Sequence, residues 1–209
     1  MLIAGVAGGS GTGKSSVLNA LKNMFPEGYI TIISMDWYYK ETTHLSMPER
    51  SKINFDHPDA FEIPLLIDHL TSLKQQKPVY CPEYSYIEMN RLKQTRLVTP
   101  SPIVILEGLY PLLDESLREY LNPTIYLEST KATRLKRITE RDFRSRNRTP
   151  DEVAVRFRNI VNPMHLEFVK KQKYLADYIV TNEEKKESCA KKIKNILTKH
   201  LKNDKTDNP

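Results

Sequence analysis

The sequence predicts an α/β fold in three layers: a mostly parallel five-stranded sheet between helices, with a small edge hairpin and an arginine-bearing helical lid. Three observations predict it. Short apolar runs alternate with amphipathic stretches along most of the 209 residues, the order expected of a parallel sheet with crossover helices. Gly8-Gly9-Ser10-Gly11-Thr12-Gly13-Lys14-Ser15 joins the first strand to the first helix and fits G-x-x-x-x-G-K-[ST] without a mismatch. Arg134, Arg137, Arg141 and Arg144 step by three, four and three, which sets them within about 80° on one helix face.

Taken in order, Leu2 to Ala7 reads as a buried strand, and Val17, Leu18, Leu21, Met24 and Phe25 repeat at helical spacing behind the glycine loop. Gly28 marks a helix stop and residues 29–33 a second strand, which ends at Asp36. Residues 40–63 are polar with little periodicity, and a loop that long inside a compact domain tends to be functional or disordered. A helix is expected from Pro64, with Leu66, Leu70 and Leu73 inward. Residues 78–98 carry two early prolines, unsuited to a central ladder, and read as an edge hairpin. Ile103 to Gly108, Thr124 to Glu128 and Tyr178 to Val180 are the remaining strands, with helices around 114–121, 131–144 and 150–162. Thr149-Pro150-Asp151-Glu152 is a capped start for the last of these. A final helix carries Cys189, Ile193, Ile196, Leu197 and Leu201 on one stripe. Residues 1–202 thus read as one domain, its lid at 131–148, with a frayed tail over 203–209.

Composition narrows the class. Hydrophobic residues at 39% and charged residues at 28% suit a soluble globular protein. No apolar run approaches the roughly 18 residues of a membrane span, so no membrane role is expected. Two cysteines without metal-ligand spacing fit a reducing cytoplasm. The net charge of +6 sits in two separate groups, within Arg134 to Arg158 and Lys185 to Lys205, and does not by itself make a nucleic-acid binder.

The chemistry follows from the loop. Backbone N–H groups of Gly8, Gly9, Ser10, Gly11, Thr12 and Gly13, with Ser15 and Ser16 opening the helix, would cradle the phosphates of a nucleoside triphosphate. Lys14 would neutralise phosphate charge and the Ser15 hydroxyl would bind Mg²⁺. Asp36, beyond the end of a strand where ligands bind in open α/β sheets, is the leading candidate base for an attacking hydroxyl. Glu107, at the end of another strand, would help hold Mg²⁺. The arginines would come down with the lid on the charge of the transferring group and exclude water. Leu135 and Ile138 are expected on the flank toward the opposite side of that helix. A switch GTPase would want Asp-x-x-Gly and Asn-Lys-x-Asp, and neither is present.

Several segments together resemble the uridine kinase family, within the wider phosphoribulokinase and uridine kinase group. They are Gly5 to Ser15, Met35 to Lys40, Asn54 to Phe61, Ile105 to Gly108, Arg141-Asp142 with Arg146 and Arg148, and Val161 to His165. The resemblance implies an ATP-dependent kinase acting on the 5′-hydroxyl of a ribonucleoside, by default uridine or cytidine, with a homo-oligomer left open. By position it implies that Asp36 is the base, with Mg²⁺ at Ser15, Glu107 and Asp36. It implies that Asp56 takes the ribose hydroxyls and that Tyr39 and Tyr84 contact the acceptor. Arg141, Arg146 and Arg148 would then serve phosphate and substrate. Three residues depart from the family pattern. Met89 stands for a base-reading histidine, Ile138 for a second arginine and Arg156 for a glutamine. They open an alternative: a kinase of the same group for another hydroxylated acceptor, a different nucleoside or a sugar phosphate.

Overall fold

The computed structural model describes residues 1–183 and 185–206, without the side chains of 203–206. Its sheet is built on β1 (Leu2–Ala7), buried along its whole length. Parallel partners flank it: β5 (Ile103–Gly108) on one side and β6 (Thr124–Glu128) on the other. Then come β2 (Ile30–Ser34) outside β5 and β7 (Tyr178–Thr181) outside β6, giving the order β2-β5-β1-β6-β7. Side chains alternate along β1, as a two-residue period requires. Ile3 and Ala7 face one core cluster, and Leu2, Ala4 and Val6 face the other. Both faces are covered, which is why β1 and residues 103–106 of β5 read as unbroken apolar runs.

On one face lies α3 (Ile63–Lys74), with Leu66, Leu70 and Leu73 buried. On the other lie α1 (Lys14–Lys22), through Val17, Leu18 and Leu21, and α8 (Lys186–Thr206), through Cys189, Ile193 and Leu197. The backbone of α8 runs past Asn203, where fraying is expected, to Thr206; residues 207–209 lie outside the described residues. The hairpin forms as read, β3 (Val79–Ser85) against β4 (Asn90–Val98), in a two-stranded sheet of its own. The polar 40–63 stretch holds a single short α-turn, α2 (Met47–Arg50), and the 3-10 turn Pro58–Ala60. Arg50 ties it together, donating to the carbonyls of Thr42, Leu45 and Glu88.

After β5 comes α4 (Glu115–Arg118), capped by Asp114, which accepts from the Leu117 N–H. Thr130 caps α5 (Lys131–Ser145), and Thr149 with Glu152 forms the expected capping box on α6 (Pro150–Arg156). From α6 the chain does not stop. It continues through a π turn (Phe157–Val161), the short α7 (Asn162–Met164) and a second π turn (His165–Val169). Such bulges concentrate at functional positions, and His165 here lies against the glycine loop.

Candidate active site

The glycine loop is shaped from beneath. Gly11 and Gly13 have φ of 79° and 86°, left-handed values that glycine adopts without a Cβ clash. A Cβ on Gly11 would run into the Arg134 carbonyl oxygen, so α5 packs directly on the loop. Gly8, Gly9 and Thr12 form the buried underside. The Thr12 hydroxyl donates to the Gly9 carbonyl at 2.8 Å, and Lys14 Nζ donates to the Gly8 carbonyl at 2.7 Å. The Thr12 carbonyl accepts from Asn182 Nδ2 at 2.7 Å and Arg137 Nη1 at 3.1 Å. Arg137 also reaches Ser129 Oγ and the Asn182 carbonyl.

This corrects the reading of the arginine face. Arg134 is 2% exposed, its guanidinium over the Phe157 ring at 5.6 Å, with one weak hydrogen bond to Asn162. Arg134 and Arg137 fasten α5 to the loop and cannot swing with a lid. Ile138 is not on the far flank either. It is buried with Val153, Phe157 and Val161, next to Gly11. At 100° per residue it sits only about 40° from Arg134, on the same packed face.

The second half of α5 faces open space. One cavity of about 1720 Å³ runs from Ser10, Gly11, Gly13, Lys14, Ser15 and Ser16 to Asp36, Tyr39, Asp56 and Tyr84. Arg141, Arg144, Arg146, Arg148 and Arg156 line it from the side of α5 and α6. Three of these share one anchor, Asp142, to which the sequence pattern alone assigns no role. Asp142, 1% exposed at its side chain, accepts from Arg141 Nε at 2.8 Å and Arg148 Nη1 at 3.0 Å, with Arg146 Nη1 at 3.6 Å. Burial opposes its charge, but the guanidiniums of Arg141, Arg146 and Arg148 outweigh burial and hold the carboxyl below its usual range. Asn147, with φ of 51°, turns the chain so that Arg148 returns to Asp142. The adjacent Arg141-Asp142 pair is the sequence signal for this hub.

Across the cavity, Ser34 and Glu107 are register partners at the carboxyl edge of the sheet. Asp36 follows in the 3-10 turn Met35–Tyr38, whose N-cap is Ser34. Burial raises the Glu107 carboxyl, partly offset by the Lys14 charge, and burial likewise lowers the Lys14 ammonium. The two oppositely charged groups lie together with Asp36 in the cavity beside the loop. Asp36 Oδ2 accepts from the Tyr86 hydroxyl at 2.6 Å.

Asp56, 7% exposed, is held by its neighbours. Its N–H donates to Asn54 Oδ1 at 3.1 Å and its carbonyl accepts from Tyr110. One oxygen of its carboxylate is already taken, since Arg156 Nη2 donates to Oδ2. Tyr39, Phe55 and Tyr84 pack as an aromatic nest, with Tyr39–Phe55 centroids 5.5 Å and Tyr39–Tyr84 centroids 4.8 Å apart. Met89 lines the same end, at a left-handed φ of 49°. The ion pair of Arg156 with Asp56 spans 100 residues and has no local signal.

A phosphate loop that opens onto a carboxylate beyond the end of β2, two strands away across β5, beneath a helix of anchored arginines, defines a P-loop kinase. The chain belongs to the phosphoribulokinase / uridine kinase family, whose model matches residues 3–188. It is 40% identical over 179 residues to a uridine kinase of Clostridium botulinum, covering 86% of this chain and 87% of that one. A uridine kinase of Clostridium perfringens is 37% identical over 203 residues, 95% of this chain and 98% of that one. Phosphoribulokinase from Rhodobacter spheroides shares the fold at a TM-score of 0.60 and 13% identity, over 86% of this chain and 69% of that one.

Proposed function

We propose that this chain, acting as one kinase domain in the cytoplasm, transfers the γ-phosphoryl group of ATP to the 5′-hydroxyl of a ribonucleoside, with uridine or cytidine as the default acceptor. The observation that supports it most is the single cavity joining Lys14 and Ser15 to Asp36 and Asp56. Donor and acceptor ends share one space, so two substrates can meet in line. Asp36 takes the proton of the acceptor hydroxyl as that oxygen bonds to the γ-phosphorus and the bond to the departing ADP breaks. Lys14, Arg141 and Arg146 face the charge that spreads over the moving group, and the same arginines cover it from water. Arg148 and the aromatic nest of Tyr39 and Tyr84 hold the acceptor, and Asp56 orients its ribose.

Ser15, Glu107 and Asp36 offer hard oxygen donors beside the loop, a set that suits Mg²⁺ completed by water and phosphate oxygens. Mg²⁺ bound there would neutralise donor phosphate charge. Among the described residues no helix is long and apolar enough to cross a membrane.

A second reading has its own observation. Arg156 occupies one oxygen of the Asp56 carboxylate, and Met89 offers the acceptor's ring no polar contact. Both favour a kinase of the same group acting on another hydroxylated acceptor. A coupled assay over nucleosides and phosphorylated sugars, with ATP and Mg²⁺, separates the two. The highest kcat/KM on uridine or cytidine supports the first reading, preference for another nucleoside or a sugar phosphate moves the assignment to the second, and no turnover on any acceptor overturns both.

A further inference from the structure

We infer that Tyr86 guards Asp36: without acceptor its hydroxyl caps the carboxylate, and the acceptor's own hydroxyl takes its place. The inference rests on Asp36 as the base proposed above. The 2.6 Å contact is a short, charge-assisted O–H···O⁻ bond reaching fifty residues along the chain, from just beyond β3 to the end of the central sheet. The ring is held on two sides. The Arg146 guanidinium lies 3.9 Å from its centroid, and the Tyr84 ring meets it edge-on at 5.4 Å. Arg146 is in turn fastened to Asp142. Tyr86 remains 42% exposed, so core packing does not demand a tyrosine there.

Lys14, Glu107, Tyr39, Tyr84, Tyr86 and Arg146 surround Asp36 closely enough to feel its charge. Among the described residues, Tyr86 alone donates a side-chain hydrogen bond to its carboxylate.

The consequence is chemical. A base beside a bound triphosphate can deprotonate water as readily as an alcohol. Water's oxygen would bond to the γ-phosphorus, the bond to ADP would break, and the proton would pass to Asp36. A tyrosine hydroxyl on the carboxylate, locked by the lid's Arg146, keeps that lone pair from water until a bulkier acceptor displaces the ring.

The test is Tyr86→Phe, assayed first for ATP hydrolysis with no acceptor present. Hydrolysis is expected to rise about 5–10-fold, the weight of one hydrogen bond, while product formed per ATP consumed falls. In an Asp36→Asn background the same substitution is expected to add nothing. Calorimetry of the nucleotide-free protein with uridine is expected to show binding tightened about 3–10-fold, because no formed hydrogen bond has to be displaced. Tyr86→Leu, which also frees Arg146, is expected to hydrolyse at least as fast as Tyr86→Phe. Unchanged hydrolysis in both variants, a fall in step with transfer, or a rise that persists in the Asp36→Asn background would overturn the inference. The hydrolysis arm contains no acceptor, so a wrong nucleoside assignment shows in the calorimetry and leaves this arm standing.

Discussion

The donor end and the acceptor end of the cavity are built in opposite ways. At the donor end the phosphate loop is fixed by backbone: left-handed glycines, the Thr12 carbonyl bound by Asn182 and Arg137, and α5 packed against Gly11. At the acceptor end the polar side chains are paired with one another, Asp36 with Tyr86 and Asp56 with Arg156. A frame made of backbone tolerates few replacements and is the same for any triphosphate. Side-chain pairs can be exchanged one at a time, and each exchange changes what the pocket reads. The two ends therefore allow a kinase to keep its chemistry while its acceptor changes.

Substitutions at each end sharpen that contrast. The largest effect is expected from Asp36→Asn, which removes the proposed proton acceptor: turnover should fall at least about 10²-fold, with affinity for an ATP analogue nearly unchanged by calorimetry. Near-normal turnover would remove Asp36 from the base role. Next is Asp142→Asn. It leaves Arg141, Arg146 and Arg148 without their common buried anion, so chemical denaturation should show a loss of about 3 kcal/mol together with reduced kcat. A fall in kcat with no loss of stability would contradict the hub.

Arg156→Gln tests the acceptor end alone. Freed from its ion pair, Asp56 can offer both carboxylate oxygens to the ribose hydroxyls, and the KM for uridine should drop about 5-fold while the KM for ATP holds. A rise in the uridine KM would mean that Arg156 itself binds the acceptor. The smallest effect at neutral pH concerns His165, beneath the loop. Burial, helped by the Arg134 charge, lowers its pKa from 6.5 to about 3. The unfolded chain therefore takes up a proton below pH 6.5 that the folded chain refuses, and stability falls as pH drops from 6.5 toward 3. His165→Asn should flatten the melting temperature across that window and leave it little changed at about pH 8, above both values. An unaltered slope would reject the assignment.

The same contrast explains what could be read from the chain alone. The strands β1 and β5, the capping box at Thr149 and the loop itself are contiguous, so local pattern defines them. Asp36 and Glu107 are legible because strand ends gather at one edge of a parallel sheet. Helical spacing identified the arginine face but not which way it turns. Arg134 and Arg137 are consumed by packing on the loop, and only Arg141 and beyond reach the cavity with their charge free of the loop, a division set by tertiary contact with Gly11 and Thr12. Tyr86 on Asp36 and Arg156 on Asp56 join positions 50 and 100 residues apart, and no periodicity encodes such pairs.

The bond from Asn182 to the Thr12 carbonyl also has a meaning in time. Asn182 is synthesised 170 residues after Thr12. At about 5–20 residues per second, the glycine loop waits on the order of 10–30 s on the ribosome before this donor exists. A nascent chain can thus display the whole nucleotide motif before the brace on the Thr12 carbonyl exists.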